Sequence, residues 1–390
     1  MSQSLPKRSR GFTLLEVMLA STLSLVVLAG ALTVGVSLQR RGLLEERTME
    51  TQNAVRSARD ILVPVVQRAG AGIGKARLNV GGNGVQVDQR YAVWVTTDAL
   101  FEDDPTFEPP SGVYEDLISD SLEIWDADST LAVQLSPHAD CGGSVWNGNT
   151  LCAYNVPDEG LAPGSLSVVT NPEEPTACVG VVGAARSTTT LAWTSGVPGR
   201  PLPVNEPCFA PNTLPAVFTG KKTLLMPLSV RAYRVNWASG EPVLEMDPDG
   251  SAGPGTFQPV ARDIERLKVR LGLYNPSLPN QDVSFFPDEA AGRPGVDQCT
   301  NATCATRIPG DAGTLSGSDV GERSARDELM RRVRQVELSI TARTNQADRE
   351  VVEQGANGTT MDEEGNPHDG FKRRHFIQRI QPRNFSYSGG

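Results

Sequence analysis

Residues 7–16 hold the groups best placed to do chemistry. Lys7, Arg8 and Arg10 form a basic head, and Gly11 joins it to an apolar run. Glu16 is the one charge in that run, five positions past the glycine. From Phe12 to Leu38 every other residue is apolar or small and neutral. A carboxylate inside an apolar layer costs about 2.5–3.5 kcal/mol. A plain membrane anchor has no use for Glu16, so the charge asks for a partner.

The other reactive groups lie beyond the run. The chain has six cysteines, Cys141, Cys152, Cys178, Cys208, Cys299 and Cys304. An even count on the far side of a membrane segment fits disulfides. Proximity in the chain favours Cys141–Cys152, Cys178–Cys208 and Cys299–Cys304, as fasteners of loops rather than as core. No metal or other cofactor is expected: Cys299 and Cys304 have no second pair nearby, and the three histidines are scattered. Asp247-Pro248-Asp249-Gly250-Ser251 and Asp362-Glu363-Glu364-Gly365-Asn366 offer oxygen ligands. Neither completes the alternating acids and closing bidentate acid of a calcium loop, so both read as acidic turns. Arg331, Arg332 and Arg334, and the run Lys372-Arg373-Arg374, read as solvated strand edges. The net charge is −10, and loss of residues 1–11 removes three basic residues and no acid, leaving −13. That balance opposes a nucleic-acid surface, and no aromatics interleave with the basic residues. No Gly-x-Ser-x-Gly elbow, P-loop or HExxH pair is present, so no enzyme is expected.

A helix must position the N-terminal groups. Residues 12–38 are long enough to cross a bilayer at ~1.5 Å per residue. The run exceeds the ~7–15 residues of a secretory h-region. The basic head holds the N-terminus in the cytoplasm and sends the chain after about residue 40 across the membrane. Gly30 and Gly35 weaken the helix interior, either for local stretching or for close helix packing. Beyond Arg40 the spacing stays helical but turns amphipathic. Thr51, Val55, Ala58, Leu62 and Val65 form one stripe. Pro64 is expected to kink or loosen this part, and Ala69-Gly70-Ala71-Gly72 to end it.

The remainder, 71–390, reads as a β-rich head. Clean alternation at Leu267–Leu273 and Val336–Ala342 marks half-buried antiparallel strands. Weaker strands are expected at Tyr91–Val95, Leu122–Trp125, Leu166–Val169, Leu191–Trp193, Leu228–Trp237 and His375–Ile380. The Pro/Gly/Asp-rich stretches 97–116, 241–258, 274–330 and 346–370 read as surface insertions.

The residues from Lys7 to Glu16 resemble the class III leader of type IV pilins and pseudopilins. The resemblance implies that prepilin peptidase cuts after Gly11 and methylates Phe12. Glu16 would then be the fifth mature residue, pairing with the Phe12 amine of a neighbouring subunit. Residues 59–70, Val260–Arg270, Val333–Arg343 and Arg373–Asn384, in that order, resemble blocks of the PilW family of minor pilins. The implied fold is α+β and type IV pilin-like: a leader over 1–11, then a helix over 12–70. That helix spans the membrane over 12–38, is amphipathic over 39–68, and packs on an antiparallel head at 71–390 with long loop insertions. The implied function is to prime and cap a type IV pilus for motility or adhesion. The implied partners are other minor pilins, the major pilin, the peptidase, the inner-membrane assembly platform and a tip adhesin. The protein would cross the inner membrane once, with its head in the periplasm or at the pilus tip. A minor pseudopilin of type II secretion, or an adhesive or DNA-binding head on a pilin stalk, are the alternatives.

Overall fold

The computed structural model describes residues 12–82, 87–157, 160–197, 208, 218, 222–248, 256–274, 283–287, 296, 319–348, 352 and 367–385. The chain forms two units, residues 1–50 and 51–390. One helix, α1 (Leu14–Arg68), precedes an antiparallel β-rich domain, so the class is the expected α+β pilin-like one. The helix continues through Pro64. Pro64 and Asp60 are both exposed, so water can take the Asp60 carbonyl that a proline leaves without its helical donor.

In the second unit the expected stripe holds at Thr51, Val55, Ala58 and Leu62, all buried. It then passes through Val66 and Ala69, both fully buried, while Val65 is only partly buried. Gly70 ends the helix at a left-handed φ of 75°. A Cβ there would sit 2.6 Å from the Gly74 carbonyl, so glycine is required.

Among the described residues seventeen strands follow. The first four are β1 (Arg77–Gly82), β2 (Val87–Arg90), β3 (Val93–Thr96) and β4 (Ser121–Ala127). Then come β5 (Val133–Gln134), β6 (Trp146–Asn147), β7 (Thr150–Cys152), β8 (Leu166–Thr170), β9 (Thr176–Arg186) and β10 (Thr190–Ser195). The spine is β11 (Leu224–Asn236), which pairs first with β5 and β8 and then with β4 and with β12 (Val243–Asp247). The edge strand β13 (Gln258–Arg262) adds to β12. A second sheet, in the order β15-β14-β16-β17, is built from β14 (Ile264–Tyr274), β15 (Val283–Phe286), β16 (Val333–Arg343) and β17 (Arg373–Ile380). A helix, α2 (Asp319–Arg332), leads directly into β16. Described pairs are antiparallel except β1 with β9.

The head has two cores. The first holds the stripe of α1, the inward residues of β3, β4, β14 and β16, and most of β11. The second gathers Val133, Leu135, Leu151, Val169, Cys178, Trp193, Phe218 and Leu225, among others. Strands β8 and β9 lie between them: Val168, Ala177 and Val179 face the first core, and Val169, Cys178 and Val182 the second. A strand buried on both faces shows no apolar–polar alternation.

Stretches expected to be surface insertions take part in this architecture. Phe286, Val296, Leu329 and Met330 are buried within 274–330, and β12 lies within 241–258. In 97–116, Asp104 pairs with the buried Arg234 at 2.7 Å, and Phe101 and Phe107 stack against the same guanidinium. Among their described residues, Asp104 and Glu245 both pair with the buried Arg234, so these parts are not slack.

Candidate assembly site at the N-terminus

Lys7, Arg8, Arg10 and Gly11 lie outside the described residues. Phe12 is 86% exposed. Thr13 immediately precedes α1, and its carbonyl accepts the first helical bond, from the Val17 N–H at 3.2 Å. The Thr13 N–H and hydroxyl both donate to Glu16 Oε2 at 3.1 Å, and Thr13 Oγ1 accepts from the Glu16 N–H at 3.3 Å. This is a reciprocal capping box, in which each side chain satisfies a backbone donor of the other. The carboxylate also sits at the positive end of the helix dipole. Glu16 therefore has partners in its own subunit, through one oxygen. Among the described residues no hydrogen bond reaches Oε1. The pattern Thr13-x-x-Glu16 ahead of an apolar run carries this signal, and reading Glu16 only as a charge misses it.

Behind the cap, α1 is long and apolar enough to cross a membrane. Its most apolar window averages a hydropathy of 2.2, and none of that window is buried by protein. So large a bare apolar surface requires lipid or other helices around it. Ser21, Thr22, Thr33 and Ser37 turn their hydroxyls back to carbonyls three or four residues earlier, at 2.8–3.0 Å. Hydroxyls so satisfied suit hydrocarbon. A Cβ at Gly30 or Gly35 would meet nothing within 4 Å, so each leaves a notch on the helix surface.

The other end of α1 is closed by residues from far along the chain. The Arg383 N–H donates to the Gln67 carbonyl at 3.0 Å. The Asn384 amide reaches the Arg68 and Ala69 carbonyls at 3.5 and 3.3 Å. Phe385 is fully buried beside Gly70. Arg68 donates to the buried Asp126 at 2.8 Å. These contacts take up the carbonyls and the charge that a helix C-terminus leaves exposed.

The remaining candidates resolve as follows. Cys141–Cys152 and Cys178–Cys208 are disulfides, while Cys299 and Cys304 lie outside the described residues. Cys178 and Cys208 belong to the second core, so this bridge does more than fasten a loop. Arg373 is not a solvated edge residue: its side chain is 5% exposed, paired with Glu265 at 2.6 Å and with Asp369 at 2.8 Å. Arg332 is likewise held by Glu328 at 2.7 Å. Asp247 is buried, and Asp249–Ser251 and Asp362–Asn366 lie outside the described residues. Among the described residues no cluster of His, Cys, Asp and Glu could hold a metal.

Among known protein families, the model of the prokaryotic N-terminal methylation motif matches residues 6–32. No curated protein and no solved structure matches the chain. The motif supports a type IV pilin-like protein, pilin or pseudopilin, with a class III prepilin leader. It points to a structural subunit attached to a membrane and processed by prepilin peptidase.

Proposed function

We propose that this chain is a minor pilin of PilW type that primes a type IV pilus, caps it and helps present a tip adhesin. The observation that carries the reading is the methylation motif over 6–32, followed by a bare apolar helix whose single carboxylate lies at its start. Prepilin peptidase cuts after Gly11, and the new Phe12 amine is methylated. The subunit waits in the inner membrane with its head in the periplasm. There the Thr13 cap holds Glu16 Oε2, which moderates the cost of a carboxylate in lipid. Glu16 Oε1 is left to take the Phe12 amine of a neighbouring subunit on assembly. The head supports a terminal position, because its many covering segments would not tile easily in a repeating shaft.

The test separates cap from charge. Glu16→Gln keeps a capping box, since glutamine serves at that position, but removes the anion. Its expected outcome is normal cleavage and abundance, with loss of co-purification with other pilins. Wild-type co-purification would refute the pairing role. N-terminal sequencing should begin at methylated Phe12, and Gly11→Val should leave the leader attached; a start near residue 40 would end the pilin reading. Deletion in a strain unable to retract pili should restore surface pili if the role is priming. Partners recovered from the membrane complex distinguish a pilus from a secretion system.

A further inference from the structure

Among the described strands, the second sheet ends in one that is paired on a single side. β17 has eight residues and bonds only to β16. The Thr344 N–H donates to the Lys372 carbonyl at 2.9 Å, which sets the phase of the ladder. The register then runs unbroken from Arg343↔Arg373 to Val336↔Ile380. Bonded and non-bonded residues alternate along an antiparallel pair. Arg374, Phe376 and Gln378 therefore turn their backbone groups to β16, and Ile377 and Arg379 turn theirs away. Among the described residues no hydrogen bond reaches the Ile377 N–H or carbonyl. Ile377 is also 63% exposed, an apolar residue in the middle of the open edge.

The other one-sided strands are blunted. β2, β3, β5, β6 and β15 have four residues or fewer, and β13 carries Pro259. Short runs and prolines are how a sheet refuses an extra strand. β17 has neither device. It carries charge of one sign instead. Residues 371–385 hold five cations and no acid, in a chain whose net charge is −10. Lys372 and Arg374 are exposed, and neither makes an ion pair among the described residues. Arg379 is held by Glu337 at 2.8 Å, yet its side chain stays 61% exposed.

We propose that β17 takes up an acidic extended segment of another protein as a fifth strand of this sheet. Main-chain bonds to Ile377 and Arg379 give such a segment its register, and its side chains cover Ile377. Acids along it meet Lys372 and Arg374, which supplies the selectivity. A second copy of this chain fits badly. It would set two rows of cations edge to edge with no acid in either, and like charges across a strand pair are destabilising. The same charges that reject a copy thus admit an acid-bearing partner. A free phosphate or a lipid headgroup would meet the cations but leave the Ile377 backbone groups and side chain unmatched. The edge belongs to the head and needs no filament, so the proposal stands or falls apart from the pilus assignment.

The test uses the full chain in a non-ionic detergent. The probe is a fluorescent peptide of about eight residues in which valine alternates with glutamate, titrated by anisotropy. The expected result is binding that falls about tenfold or more when lysine replaces glutamate in the peptide, and equally when every peptide nitrogen is methylated. Ile377→Pro removes the outward N–H at a position where an edge strand tolerates proline. It should weaken binding about tenfold or more with an unchanged melting temperature. Arg374→Glu, at an exposed site, should weaken it about threefold or more and keeps the proposal testable if the proline variant does not fold. Hydrogen exchange at the Ile377 amide should be fast in the free chain and slowed by the peptide. No binding of the acidic peptide, equal binding of the basic or methylated one, or indifference to both substitutions would overturn the proposal. So would slow exchange at Ile377 in the free chain, which would show the edge already covered by the chain itself or by a second copy.

Discussion

Asp120→Ala should loosen the joint between the two sheets of the head. Asp120 lies just before β4, and its carboxylate is fully buried. It accepts from the Val269 N–H at 2.8 Å, from the Asp98 N–H at 3.1 Å and from Lys268 Nζ at 3.2 Å. Its own N–H donates to the Leu267 carbonyl at 2.8 Å, and the neighbouring Ser119 hydroxyl accepts from the Leu267 N–H at 3.1 Å. Side chains here stand in for a strand along the part of β14 that β15 does not reach. Alanine strands the Val269 N–H, whose residue is fully buried; a buried donor left unmade costs ~1–3 kcal/mol. The Asp98 N–H lies nearer water and adds ~1 kcal/mol at most. Lys268 keeps Asp98 as an ion-pair partner, so its share is under ~1 kcal/mol. The total is ~1–5 kcal/mol, or roughly 2 °C or more in Tm at ~2–4 °C per kcal/mol. Asp120→Asn keeps one acceptor for Val269 and should lose less. Thermal unfolding of the full chain in detergent, followed by tryptophan fluorescence, reads both. A loss below ~1 kcal/mol for alanine, or a larger loss for asparagine than for alanine, would refute the reasoning.

Three further outcomes are expected. Phe385→Ala, which empties a fully buried site at the end of α1, should cost ~3–5 kcal/mol and speed hydrogen exchange over 60–68, read by mass spectrometry. Burial, with Arg334 nearby, lowers the Lys75 ammonium to about 7. The unfolded chain therefore binds more protons from there up to its ordinary value of 10.5, so stability from this group rises with pH across that window; Lys75→Met should flatten the rise in a Tm series from pH 7 to 10. Replacing Cys141 and Cys152 together by serine should cost ~2–3 kcal/mol and should expose amides of the second core before those of the first; simultaneous exposure would show the two cores to be one cooperative unit.

Some of this architecture was legible in the sequence, and the physical reasons divide cleanly. An apolar run of this length reads as a membrane-length helix, and a stripe at steps of four and three as a helix with one wet face. The strands β14 and β16 each have one apolar and one polar face, so they alternate and are legible, although the polar face of β16 is largely buried. β9 was missed because both its faces are buried and because Gly180 and Gly183 depress strand propensity. A Cβ at Gly180 would lie 2.4 Å from the Trp193 ring, so that glycine serves close approach rather than a turn. α2 was missed because its described part buries only Leu329 and Met330 in the core. It is held from outside instead, by Arg77 and Tyr91 on Asp327 at 2.9 and 2.7 Å. At the N-terminus the charge of Glu16 is legible from composition, whereas its hydrogen bonds to Thr13 lie in the Thr13-x-x-Glu16 spacing.

The clasp of Arg383, Asn384 and Phe385 on the end of α1 sets an order of events during synthesis. A ribosome delivers the anchor first and the clasp more than 300 residues later, since Asn384 and Ala69 are separated by 315 positions. While the intervening chain is being made, the end of the helix has its C-terminal carbonyls uncapped. The strand β17 and the clasp behind it arrive almost together, so the head is completed only when this last stretch has been made. A chain stalled or clipped before residue 383 would leave the Gln67, Arg68 and Ala69 carbonyls open, with the helix end accessible to proteases. The last residues of the described chain thus decide whether the end of its first helix is closed.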